Sequence, residues 1–208
     1  MNEPEKMDEV RRLLTETDLT DTKNLDAASD FTSSFEEDGD RAWALGEIAK
    51  ALAGLGKWDE AEKIASKINL ADEQADTLVA IARKLLTSDH RARALRNLSI
   101  AAETAKTGKT SWVWQRAFSL LGIARALSEA NDTDGALRIL EESVRVASAG
   151  QQISSHDGEE CEGVLGEIAI DLTRLGHLEK AQTVAETIRH PVKRQRTLEA
   201  IAEISRGC

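Results

Sequence analysis

The stretch LGEIAKALAGLGKWDEAEKIASKI, residues 45–68, decides how the rest of the chain is read. Leu45, Ile48, Ala49 and Leu52 recur at steps of three and four, so they share one face of a helix with about 3.6 residues per turn. Gly56 follows, and without a Cβ it enters the left-handed conformation that ends a helix at no steric cost. Asp59, Ala61, Ile64, Ala65 and Ile68 then begin and stripe a second helix. The unit is helix, turn, helix.

With Ile48 as anchor, the pattern returns at Ile81, Ile123, Ile168 and Ile201, each followed at once by a small residue: Ala49, Ala82, Ala124, Ala169 and Ala202. Eight residues beyond the first four anchors stand Gly56, Asp89, Asn131 and Gly176, the residue types that best tolerate a left-handed turn. Thirteen beyond them stand Ala61, Ala94, Ala136 and Ala181. Three columns in one register define an internal repeat. The anchors are 33, 42, 45 and 33 residues apart, so the first and last intervals are minimal and the middle two carry insertions.

The segments Gly56-Lys57-Trp58-Asp59-Glu60-Ala61 and Gly176-His177-Leu178-Glu179-Lys180-Ala181 resemble the turn between the two helices of the tetratricopeptide repeats. The resemblance runs from about Asp40 onward and implies an all-α fold. It would be a right-handed solenoid of about four antiparallel helical pairs with a C-terminal capping helix, acting as a non-catalytic interaction scaffold. The chain departs from the family's pattern in having Ala rather than Gly after the anchor, no Tyr anywhere, and two over-long units. HEAT-like helical pairs are the looser alternative.

The composition agrees with helices around an aliphatic core: aromatic residues make up 3% of 208 residues, and the only prolines are Pro4 and Pro191, at the edges of predicted helices. No apolar run approaches the roughly 20 residues that span a bilayer. The acidic start Met1-Asn2-Glu3-Pro4-Glu5-Lys6 lacks the apolar core of a signal peptide, and Cys161 and Cys208 do not make a disulfide framework, so a cytoplasmic protein is expected. The net charge of −10 is unevenly placed. Residues 1–40 hold 13 acids against 4 bases, whereas residues 41–208 hold 24 against 23. Two regions follow: an acidic leader, 1–40, and a nearly neutral repeat array, 41–208.

Within the leader, Met7, Val10, Leu13 and Leu14 predict a short helix that packs on the first repeat, and Phe31 and Phe35 are spaced for a further short helix. Trp112 and Trp114 fall in the first insertion, two apart, so at most one can be fully in the core. Polar Gly150–Gly158 predicts a loop between the third and fourth pairs. A last helix from Pro191 presents Leu198, Ile201, Ala202 and Ile204 to the final repeat and Arg194, Arg196, Glu199, Glu203 and Arg206 to water.

Two residues past the first three anchors stand Lys50, Arg83 and Arg125. The fourth repeat breaks this column with Ile170, and Arg174, one turn along, is its nearest replacement. In the tetratricopeptide family this column typically lines the concave groove, and Trp43 and Phe118, five residues before their anchors, would lie on the same side. Cations beside aromatic surface suit a peptide or protein partner, an acidic segment or a C-terminal carboxylate being the natural complement. The alternative occupant is a nucleic acid, which the near-neutral array and the acidic leader disfavour. A regulatory subunit of an enzyme is the other alternative.

Nothing points to catalysis or to a cofactor. Gly108-Lys109-Thr110 has Glu103 where a phosphate-binding loop needs its first glycine, and it follows a predicted helix rather than a strand. His156, Asp157, Glu159, Glu160 and Cys161 match no compact metal-binding spacing. Self-association stays open, through the tryptophan insertion or the leader.

Overall fold

A computed structural model describes residues 3–16, 28, 30–108, 110, 112–153 and 155–207. They form helix α1 (Glu3–Glu16), a 3-10 turn (Thr32–Ser34), and then α2 (Asp38–Gly54), α3 (Trp58–Ala65), α4 (Ala71–Thr87), α5 (Arg91–Thr107), α6 (Val113–Glu129), α7 (Thr133–Gly150), α8 (Ser155–Arg174), α9 (Leu178–Thr187) and α10 (Pro191–Gly207). No strand occurs among the described residues. The fold is all-α; among the described residues four helical pairs lie between α1 and α10.

Four turns of one design make the pairs. Gly56, Asp89, Asn131 and Gly176 have φ of 75°, 62°, 59° and 83°. At each turn the next residue donates its N–H five residues back, Lys57 to Leu52, His90 to Leu85, Asp132 to Leu127 and His177 to Leu172, at 2.9 Å in all four cases. The left-handed residue itself donates three residues back, as Gly56 does to Ala53. This pair of bonds closes a helix C-terminus and satisfies carbonyls that would otherwise lack donors. The chain then re-enters a helix two residues later, so each first helix is folded back against its second.

The anchor columns are the core. Ile48, Ile81, Ile123, Ile168 and Ile201 are buried, as are Ala49, Ala82, Ala124 and Ala169 and the second-helix column Ala61, Ala94, Ala136 and Ala181. Ala202 is the exception and is exposed on the outer side of α10. Close approach explains the small residues. A Cβ on Gly46 of α2 would sit 2.9 Å from the Thr77 Oγ1 of α4, and one on Gly166 of α8 would sit 3.0 Å from the Thr197 Oγ1 of α10. Each glycine is two residues before its anchor and each threonine four before the next one, so the same crossing is built twice.

The chain forms two compact units, Met1–Lys109 and Thr110–Cys208. In the first, α2 pairs with α3 and α4 with α5, α4 packs on α2, and α1 packs on α2. In the second, α6 pairs with α7 and α8 with α9, α8 packs on α6 and α7, and α10 covers α8 and α9. Leu198 and Ile201 of α10 face inward while Arg196, Glu199, Glu203 and Arg206 are exposed, the division expected of a capping helix.

The insertions are not where the sequence placed them. The interval from Ile81 to Ile123 exceeds the minimal one by nine, and α5, with 17 residues, exceeds α3, with 8, by the same nine. The extra residues lengthen the second helix, and Trp112 and Trp114 stand instead at the start of α6. The predicted Gly150–Gly158 loop is likewise mostly helix: α7 runs to Gly150 and α8 begins at Ser155, leaving a short turn. Asp157 in the first turn of α8 favours a helix start there, because the N-terminal partial charge is positive. Trp112 is 49% exposed and Trp114 half-buried, as their spacing requires. In the leader, Val10 is buried and Phe31 meets Phe35 edge to face at 6.0 Å, while the stretch 17–27 lies outside the described residues. No helix among the described residues is long and apolar enough to cross a membrane.

The turns make a stability test. No atom lies within 4 Å of a Cβ built on Gly56 or Gly176, so alanine there meets only backbone strain. Gly56→Ala and Gly176→Ala should each destabilise by about 1 kcal/mol, and Asn131→Gly should be neutral to stabilising by up to about 1 kcal/mol, in urea unfolding. A destabilising Asn131→Gly would show that its side chain, not its φ, holds the turn.

Candidate functional site

The basic column lies on the first helices, Lys50 on α2, Arg83 on α4 and Arg125 on α6, with Lys50 and Arg125 half-buried and Arg83 exposed. Lys50 and Arg125 are not bare charges. Lys50 Nζ lies 3.0 Å from Glu47 Oε1 on its own helix and 3.5 Å from Glu73 Oε1 on α4. Arg125 reaches α8 with both arms of its fork, Nε to Asp171 Oδ2 at 2.5 Å and Nη2 to Glu167 Oε2 at 3.0 Å. The column therefore also ties neighbouring first helices together within each unit. Burial works against the charge of both groups, but the carboxylates outweigh it. Lys50 is raised by its bond to Glu47 and the charge of Glu73, and Arg125 by Asp171 and Glu167.

In the second unit the column borders a cleft of about 280 Å³. Arg125 and Ala124 of α6, Leu140 of α7, Asp171 and Arg174 of α8 and Leu175 beyond it line the space. Asp171 sits between the two arginines and bonds both, its Oδ1 lying 3.0 Å from Arg174 Nη1. Arg174 and Arg125 thus share Asp171 as a partner. The Arg174 side chain remains 63% exposed, so most of its donor edge faces solvent.

Trp43 and Phe118 have different surroundings. Phe118 is 43% exposed on α6. Trp43, on α2, is partly buried against the cluster of Val10, Phe35 and Ala44, and the Arg11 guanidinium of α1 stands 5.2 Å from its ring centroid. The leader covers it.

The carboxylate partners were not read from the sequence. Glu47 and Glu167 both precede their anchors by one residue, and that repeated position was the available signal. In the first repeat Glu47 meets Lys50 on the same helix. In the fourth, Ile170 stands where the cation would be, and Glu167 turns to Arg125 of the preceding repeat. A second layer of ties runs between second helices. Arg93 of α5 forks onto Glu62 of α3 at 2.8 and 2.9 Å and also reaches Asp59, Asn97 donates to Glu62, and Lys180 of α9 meets Glu141 of α7 at 2.6 Å.

His156 is exposed and meets Trp112 edge to face at 5.7 Å, while Asp157 and Cys161 are buried on α8. Among the described residues no three such side chains converge as metal ligands. Burial, with the charges of Asp157 and Glu160 adding to it, pushes the Cys161 thiol up to about 11, which leaves it protonated and unreactive at neutral pH.

No family model and no curated protein matches this chain. Solved structures do. One structure of the Podosopora anserina putative kinesin light chain nearly identical TPR-like repeats, that of a point variant, is 16% identical, spans 96% of this chain and 99% of that one, and has a TM-score of 0.51. Another structure of the repeats of that protein is 14% identical over 98% and 95%, with a TM-score of 0.46. Ton1535 from Thermococcus onnurineus NA1 is 16% identical over 95% and 82%, with a TM-score of 0.36. The first of these carries the likeness: the fold is a tetratricopeptide-like helical repeat.

Two carboxylates in the first unit should leave opposite marks on stability. Hydrogen bonds from Arg93 hold Glu62 below its ordinary value of 4.5, so the native state binds fewer protons there and its contribution is lost as pH falls through the lowered pKa. Burial raises Glu73, Lys50 offsets only part of this, and Asp76 and Asp72 add to the rise. Native Glu73 therefore binds more protons than the unfolded chain, and stability falls as pH rises above about 4.5. In urea unfolding from pH 3.5 to 7, Glu62→Gln should lose stability at the neutral end and flatten the acid limb. Glu73→Gln should gain at pH 7 relative to pH 4. Parallel profiles for both variants would contradict these assignments.

Proposed function

We propose that the chain is a non-catalytic interaction module that binds a peptide or protein segment, preferentially an acidic one, along its first helices. One observation carries this most directly. In the second unit Arg125 and Arg174 stand on either side of Asp171 at the edge of a cleft with Ala124, Leu140 and Leu175 in its lining. A guanidinium is charged at every accessible pH and offers five donors in a rigid fork, which suits a carboxylate, while the apolar lining suits the side chain beside it. Arg174 would present its free edge to the ligand, and Asp171 would keep Arg125 in place. In the first unit, taken by itself, the counterparts are Lys50 on α2 and Arg83 on α4.

The carboxylates that pair Lys50 and Arg125 weigh against a phosphate backbone. A nucleic acid binder gains affinity from uncompensated Lys and Arg in a dense stripe. Here Asp171, Glu167, Glu73 and Glu47 already offset the column. Such a surface selects a ligand that adds a few well-placed carboxylates rather than a run of phosphates.

Anisotropy titration of the whole chain with a library of short acidic peptides, beside single- and double-stranded nucleic acid, tests this. Arg174→Ala, which leaves the Arg125 pairs in place, should weaken the best peptide by about tenfold, the size of one charge-assisted hydrogen bond. Lys50→Ala with Arg83→Ala tests the first unit by itself and should weaken any peptide that binds there. Equal binding by the Arg174 variant, or tighter binding of nucleic acid, would overturn the proposal.

A further inference from the structure

Helix α1 has 14 residues, and an isolated helix of that length is marginal in water. What holds it is its contact with α2 and the short turn before it. Val10, 1% exposed, enters between Phe35 and Ala44, and Met7, Phe31 and Trp43 close around them. Lys6 Nζ donates to the Ser34 carbonyl at 2.6 Å and stands 5.7 Å from the Phe35 ring centroid, and Arg11 lies over Trp43. The acidic side chains Asp8 and Glu9 pair with Arg11 and Arg12 on α1 itself. Asp8 and Glu9 are thus engaged within α1, while Val10, Lys6 and Arg11 make contacts to the rest of the unit.

The contact is that of an amphipathic helix laid on an apolar groove, read by anchors three residues apart, Met7 and Val10, with a cation at the next position over an aromatic ring. Internal first helices are held differently: α4 and α8 each pack against a preceding first helix and are also locked into a hairpin. α1 has no hairpin partner among the described elements. Elements of this kind open at a smaller free energy than the whole domain.

We infer that the surface formed by Phe35, Trp43 and Ala44 is a helix-docking site for a partner, and that α1 is its resident occupant. The resident shows the chemistry of the incoming helix: two apolar residues three apart followed at once by arginine or lysine. The inference is independent of the reading for Arg125 and Arg174, because Trp43 is covered by α1. It adds that this end of the first unit takes a helix with an apolar and basic face, unlike the acidic segment proposed for Arg125 and Arg174. Because α1 competes in cis, apparent affinity for the partner is lowered by the fraction of chains with the site open.

The probe is a fluorescein-labelled, end-blocked peptide of residues 3–16, titrated into the full chain and into its Val10→Asp variant. The variant should bind it at least about tenfold more tightly than the native chain, and adding Trp43→Ala should abolish the gain. A peptide carrying Val10→Asp and Arg11→Glu should not bind. Equal binding to native chain and variant, or indifference to Trp43→Ala, would overturn the inference. Should Val10→Asp lose cooperative unfolding, hydrogen exchange on the native chain decides: α1 amides should exchange faster than those of α2, and equal protection would refute an exchangeable helix. A native dimer that becomes monomeric on Val10→Asp would identify the occupant as a second copy's α1 and overturn the partner assignment. An acidic peptide titrated in parallel separates the two sites. Its binding, unchanged by Val10→Asp, would confine any failure to the helix-docking site.

Discussion

Four left-handed residues organise this molecule. At Gly56, Asp89, Asn131 and Gly176 the backbone leaves the right-handed helix for a single residue, and two hydrogen bonds lock the departure. Since each turn falls eight residues past a buried isoleucine, the phase of the first helix is set from its C-terminal end. Every feature with a fixed offset from the isoleucine then points the same way in each repeat. The alanine after it faces a neighbouring helix, and the cation two after it sits at the edge of the packed face. Glycine supplies the left-handed turn freely in the first and last repeats, whereas Asp89 and Asn131 use a conformation that their short polar side chains tolerate better than others do.

The cation column ties helices together within each unit, and how firmly it does so follows from side-chain type. A single exposed ion pair contributes little to stability, typically about 0–1 kcal/mol. Its geometric effect is larger when a planar fork is involved. Arg125 engages two carboxylates one turn apart on α8, and so fixes both the spacing and the rotation of that helix against α6. Lys50, a point charge, touches Glu73 at a distance too long for a strong hydrogen bond, and Glu73 is left partly desolvated with a raised pKa. The Arg93 fork on Glu62 repeats the arginine solution among the second helices. Arginine thus serves as a staple in both units.

The repeat was legible because it rests on local rules. Periodicity marked the buried faces, and the turn residues were recognisable by conformational tolerance alone, so all four turns and the buried Ile and Ala columns could be read directly. The inserted residues were misplaced for a physical reason. The additional residues of α5 are as compatible with helix as with an excursion, and only packing against α4 decides that the helix continues. Polar Gly150–Gly158 misled in the same way, since Asp157 and Gly158 are as acceptable in the first turn of a helix as in a loop. Glu73, the partner of Lys50 on the next first helix, and Asp171, which Arg125 meets, lie 23 and 46 residues away, on helices whose relative rotation no local pattern specifies. Arg174 beside Arg125 could be anticipated from helical spacing, but Asp171 between them could not.

The aromatic residues show what the packing excludes. Four Trp and three Phe occur in the chain, and the first helices cross so closely that even a Cβ on Gly46 would collide with Thr77. A ring does not fit between helices at that separation. Several aromatic side chains lie instead near helix starts, as Trp58 does beside His90. Phe31, Phe35 and Trp43 gather where α1 meets α2, and Trp112 stands at the start of α6 beside His156. An aliphatic, closely packed interior thereby concentrates its most adhesive side chains at its margins, and at one margin an auxiliary helix covers them. The spacing that makes the repeats stack tightly is thus also what produces a surface fit for a docking helix.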